Sequence, residues 1–161
     1  LEFTVVTESE LTPRIDLSKF SAPRPESRCR ELEQASVRPI PVGDAMVGIP
    51  DCLEILESSA DFFIGALDDV VQIDSWQFDE TYKLSTPEAY IRYITRLYNG
   101  APESTVTDGD KTEIAGFDTE SGKSYRVAMQ KSGSKFYVTR MVYRPAVESA
   151  VTNLFPTMLN L

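Results

Sequence analysis

The stretch SYRVAMQKSGSKFYVTRMVYR, residues 124–144, decides the fold. Tyr125, Val127 and Met129 alternate with Arg126, Ala128 and Gln130, and Phe136, Val138, Arg140 and Val142 alternate with Tyr137, Thr139, Met141 and Tyr143. Ser132-Gly133 stands between the two runs. Period-two alternation around a Ser-Gly pair reads as a β-hairpin. One face of that hairpin carries a charge, Arg140, where a strand ordinarily buries apolar side chains.

A second such pair, Ser121-Gly122, extends the hairpin to a three-stranded meander with strands at about 111–119, 123–131 and 134–144. Two-residue loops at both pairs set Met129 opposite Phe136, Val127 opposite Val138 and Tyr125 opposite Arg140. The alternative three-residue loop would set Arg126 opposite Arg140 on one face, and like charges directly opposite destabilise a sheet. In the chosen register Asp118, Tyr125 and Arg140 form one polar row. This row is the candidate ligand-binding site, with Arg140 receiving an anionic group. Read as structure alone, it is a salt bridge at the rim of a core. The opposite face carries Phe117, Tyr137, Met141 and Tyr143, the composition of a partner-binding surface. The competing reading covers these residues with the C-terminal helix or the N-terminal arm.

Upstream, STPEAYIRYITRLYNG (85–100) carries its own helix punctuation. Ser85 or Thr86 caps, Pro87 opens, Glu88 complements the dipole and Asn99-Gly100 closes, with Tyr90, Ile94 and Leu97 facing inward. WQFDETYKL (76–84) alternates as a strand. Leu53, Leu56, Ala60, Phe63, Leu67 and Val70 recur at three- and four-residue spacing and predict a buried helix of about five turns from Asp51. Val147, Val151, Leu154 and Met158 predict a C-terminal helix that Pro156 ends or bends.

Residues 1–50 hold six of the ten prolines and read as an extended arm, with EFTVV (2–6) as an edge strand and a short helix at 25–35. The expected division is an arm over 1–45 and one domain over 46–161, a length that suits a single core. The fold class is α+β, helices packed on a curved antiparallel sheet. In outline its element order resembles the nuclear-transport-factor-2-like and cystatin-like cone folds, a resemblance that implies architecture alone.

The chemistry is narrowed by composition. The chain has no histidine, which removes the commonest general base and zinc ligand. Its two cysteines, Cys29 and Cys52, form no four-thiolate site; in an acidic chain they suggest a disulfide, the competing reading being two separate thiols. A formal charge of −9 argues against a nucleic-acid partner and fits a basic protein. GFDTESGKS (116–124) places five residues between its glycines where a phosphate-binding loop needs four. DGDKTE (108–113) offers Asp108, Asp110 and Glu113 without the spacing of a calcium loop. Glu80 and Asp118 are the carboxylates that could serve acid–base work. No apolar run reaches membrane-spanning length, and the start at Leu1-Glu2-Phe3, without Met, reads as a processed or cloned end.

These features predict a non-catalytic protein-interaction domain: an accessory subunit or a neutralising partner, outside the cytoplasm, without cofactor or metal, and able to self-associate through its arm. The alternative is a pocket that binds or isomerises an apolar anion, with Asp118 or Tyr125 moving the proton.

Overall fold

The computed structural model describes residues 25–79, 86–96, 98 and 102–159. The side chains of 25–29, Pro87, Ile94 and 157–159 are outside that description. The expected edge strand at 2–6, Glu80 and the Asn99-Gly100 helix stop also lie outside the described residues.

Helix α1 (Pro25–Gln34) is followed by the hairpin β1 (Val37–Val42) and β2 (Ala45–Pro50). Strands β3 (Glu54–Ser58), β4 (Phe62–Leu67) and β5 (Val71–Asp79) form a meander. Helix α2 (Pro87–Thr95) crosses over, and β6 (Ser104–Asp108), β7 (Lys111–Asp118), β8 (Lys123–Ser132) and β9 (Lys135–Tyr143) form a second meander. A 3₁₀ turn (Pro145–Val147) leads into α3 (Glu148–Leu159). The seven strands of the two meanders make one antiparallel sheet, ordered β3-β4-β5-β9-β8-β7-β6. The class is therefore α+β, built on an antiparallel sheet with a few helices.

The helix expected from Asp51 does not form; the segment is β3 and β4. Its physical cause lies in FFIGAL. Phe63 and Leu67 point to one face and Ile64 and Ala66 to the other, and all four are buried. A strand covered on both sides loses its alternation, and a short continuous apolar run fits either period. The punctuation around it is that of hairpins. Ser59 donates its N–H to Phe62 O at 2.8 Å, and Asp68 adopts a left-handed φ of 48° in the next turn. The acidic pair Asp68-Asp69 thus occupies a tight β4–β5 connection, with Asp69 held by the Arg144 guanidinium.

Each sheet face has its own cover. On one, Phe63, Val71, Ile73, Met141 and Tyr143 pack under α1, the β1–β2 hairpin and α3. The spacing of Val147, Ala150, Val151, Leu154 and Phe155 places one apolar stripe of the C-terminal segment on that face. Leu32 and Val42 belong to this same core, so residues before position 45 contribute to it, and the expected boundary at 45/46 falls within β2. On the other face, Trp76, Ile114, Tyr125, Val127, Phe136 and Val138 pack under Tyr90 and Ile91 of α2. Thr86 caps α2 as its residue type predicts, its Oγ1 accepting the Ala89 N–H at 3.2 Å.

Candidate functional site

The meander strands stand where alternation places them, but their register differs. Val127 lies opposite Arg140, Met129 opposite Val138, and Tyr125 opposite Gly116 and Val142. The cause is the turn glycine. Gly133 has φ +61° and takes the first central position of a Gly133-Ser134 turn, closing Ser132 against Lys135. A glycine there is the type II′ preference, and Gly43 and Gly109 open two more turns in the same way. The first connection is a four-residue loop, Thr119 to Gly122, in which Gly122 donates to Asp118 O at 2.9 Å. Each pairing shifts by two along the ladder, so the faces are kept and the partners change.

The row Asp118–Tyr125–Arg140 is therefore not formed. Asp118 pairs with Lys123 at the sheet end, and its Oδ1 accepts the Glu120 N–H in the turn. Arg140 instead meets Asp74, directly opposite on β5, in a salt bridge. Arg140 is 4% exposed and Asp74 is fully buried. Burial pushes the Asp74 carboxyl upward, and Arg140 opposes that shift. The guanidinium sits over the Trp76 ring, 5.4 Å from its centroid. Tyr98 stacks on Tyr125 with ring centroids 3.9 Å apart, and burial pushes its phenol up to about 12. Tyr125 lies against the bare Cα of Gly116, where a Cβ would come within 2.6 Å of the ring carbon Cζ. The assembly is a neutralised ion pair inside an aromatic layer, closed to an incoming anion.

The face proposed for a partner is largely interior. Met141 and Tyr143 are buried beneath α3, where Arg126 bridges Tyr143 Oη at 3.3 Å, Glu148 at 3.1 Å and Thr152 at 3.3 Å. Phe117 and Tyr137 remain half-buried. Tyr137 opens into a groove of about 270 Å³ between the β1–β2 hairpin and the sheet. Thr139, Gln130 and Ser75 line its sheet side, and Met46, 48% exposed, lines its hairpin side. Ser75 Oγ donates to Val138 O at 3.0 Å and lies 3.1 Å from Thr139 Oγ1. With the Ser75 proton so used, Thr139 supplies the shared hydrogen. Asp44, at the hairpin tip, is tied to Lys135 at 3.2 Å. Sequence reasoning missed this groove because it depends on the hairpin turning back over the sheet; Gly43-Asp44, the only local signal, is a turn signal.

Among the described residues no cluster of three or more acidic, cysteine or histidine side chains could hold a metal ion, and no disulfide forms. Cys52 is half-buried beside the core; the side chain of Cys29, its proposed bridging partner, lies outside the described residues. The stretch 116–124 comprises the end of β7, the four-residue loop and the start of β8. No described helix is long and apolar enough to cross a membrane. The sequence matches no protein-family model and no curated protein.

Proposed function

We propose that this chain is a non-catalytic protein-interaction domain, an accessory subunit of a larger assembly or a binding and neutralising partner, working outside the cytoplasm. The observation that carries this reading is the groove at Tyr137. It joins the half-buried Tyr137 ring, an exposed thioether at Met46 and the exposed Gln130 amide over a floor that holds the buried Ser75 and Thr139 hydroxyls. Aromatic residues and methionine with polar neighbours are the composition of protein contact surfaces. The alternative, a pocket for an apolar anion, loses its anchor because Arg140 is buried against Asp74. The resemblance of element order to the cone folds rested on a long first helix and adds nothing toward function.

Native mass spectrometry with a fractionated extract of the source tests the proposal. The expected result is a stoichiometric protein adduct that Met46→Glu removes, with the fold retained by circular dichroism. A small-molecule adduct that survives Met46→Glu and disappears in Thr139→Val would overturn it.

A further inference from the structure

The sheet has two edges, and they are built differently. On β3 the ladder shifts between Ile55 and Glu57, and Glu54 and Glu57 stand exposed. A bulge and charges on an edge strand are the usual protection against pairing with another chain. β6 has neither a bulge nor a proline nor a lysine. Its register with β7 runs unbroken from Ser104↔Ala115 to Asp108↔Lys111, and all five side chains are exposed. Among the described residues β7 is its one strand neighbour.

The turn fixes which backbone groups of β6 face outward. Gly109 and Asp110 form a two-residue connection, so Asp108 and Lys111 are a hydrogen-bonded pair, as are Val106 and Glu113 two residues along. Thr105 and Thr107 fall at the alternate positions and direct their N–H and C=O groups away from β7. The close approach of Thr107 Oγ1 to Thr112 Oγ1, 3.3 Å, fits a non-hydrogen-bonded pair. Val106, 60% exposed, offers an apolar cross-strand contact between them.

We infer that β6 accepts an extended segment of a partner protein as an eighth strand, and that this segment carries Lys or Arg around a β-branched centre. The charge comes from the edge itself. Glu103, Asp108 and Asp110 are exposed along it, while Lys111 is bridged to Glu113 at 3.2 Å. A second copy of this chain fits poorly. Antiparallel self-pairing about Val106 would set Asp108 opposite the other copy's Ser104 and Glu103 opposite its Gly109. Neither edge would then meet a cation across the seam between two molecules of net charge −9. Main-chain pairing supplies affinity in this mode, and alternate side chains supply specificity. The inference deepens the interaction-domain reading and rests on it.

The test uses the whole chain and a short synthetic peptide, followed by amide NMR and hydrogen exchange. The peptide has valine at its centre, lysine two and four residues to either side and threonine between them, so that lysine falls opposite Asp108 and Asp110. The Thr105 and Thr107 amides should gain protection on peptide addition, while Val106 and Asp108, already bonded to β7, should not. Thr105→Pro removes one outward donor without touching the ladder to β7. Val106→Lys, a change confined to an exposed side chain, keeps the test valid if the proline variant misfolds. Each should weaken binding about tenfold or more. Protection centred on the Tyr137 groove, or binding unchanged in both variants, would overturn the edge proposal. If a natural protein complex forms and ignores both substitutions, the edge is refuted and the interaction-domain reading stands. A dimer in sedimentation that Val106→Lys abolishes would make a second copy the occupant, which also refutes the proposal.

Discussion

Replacing Asp74 with alanine leaves Arg140 charged, 4% exposed and without its carboxylate. The magnitude follows from burial. Solvent-exposed ion pairs contribute about 0–1 kcal/mol, but removing one member of a buried pair costs about 3–5 kcal/mol, because the remaining charge stays desolvated. The same reasoning makes Arg140→Met comparably costly, since Asp74 is fully buried. Replacing both, as Asp74→Leu with Arg140→Met, should be neutral or stabilising by up to about 4 kcal/mol. Urea unfolding followed by fluorescence measures all four states of the cycle. Trp76, the chain's one tryptophan, is 2% exposed and lies under the guanidinium, so it reports at the site. Asp44→Ala, which breaks the exposed Lys135 bridge, is the internal control and should match the parent within error. Single variants that each cost less than about 1 kcal/mol at unchanged m-value, or a double variant as unstable as the two losses added together, would refute the reasoning.

Two further outcomes follow from the aromatic layer. Gly116→Ala pushes a methyl group into the Tyr125 ring and should cost about 1–3 kcal/mol in thermal unfolding, and less when Tyr125 is also replaced by leucine; additive losses would place the clash elsewhere. Tyr98 keeps its proton up to about pH 12 in the fold against 10.0 for an ordinary phenol, so its contribution is complete below pH 10 and is lost as pH rises toward 12. Titration of tyrosinate absorbance should show a late class beyond the ordinary tyrosines, and Tyr98→Phe should reduce it; a single ordinary transition for all seven tyrosines would contradict the stacked arrangement.

What the sequence disclosed was whatever local chemistry determines. The alternation in 111–144, the Thr86-Pro87 start of α2 and the apolar stripe of α3 each depend on neighbours within a few residues, and each matches its element. Even the misplaced hairpin register kept Arg140 on its correct face, because both shifts were by two. Three features were illegible, each for a tertiary reason. FFIGAL lost its alternation because helices and a hairpin cover opposite faces of one strand. The β1–β2 hairpin hid inside a proline-rich segment: Pro39 and Pro41 face Gly48 and Met46 on a separate two-stranded sheet, a position where proline is tolerated. The partner of Arg140 could not be found by extending hairpins, since β5 and β9 meet across α2 and the whole second meander.

That last contact explains what the charge does on the buried face. Every other neighbouring pair in the large sheet is joined by a turn, and a turn fixes register; β5 and β9 have none. In its place stand two polar rungs in succession. Asp74 faces Arg140 under α2, and Ser75 faces Thr139 on the opposite face, their hydroxyl oxygens 3.1 Å apart. A slip of one residue would send Arg140 to the wrong face and bury both charges alone. A slip of two would set it against Gln72 or Trp76 and strand Asp74. Apolar neighbours such as Ile73 and Met141 tolerate such slips far better, since their contacts are not directional. The double variant of the cycle therefore separates two properties that the native pair combines. If Asp74→Leu with Arg140→Met gains stability while its β5 and β9 amides split into several resonances, the pair specifies register. If the variant keeps a single set, the hydroxyl rung and the packing under α2 hold the alignment without it.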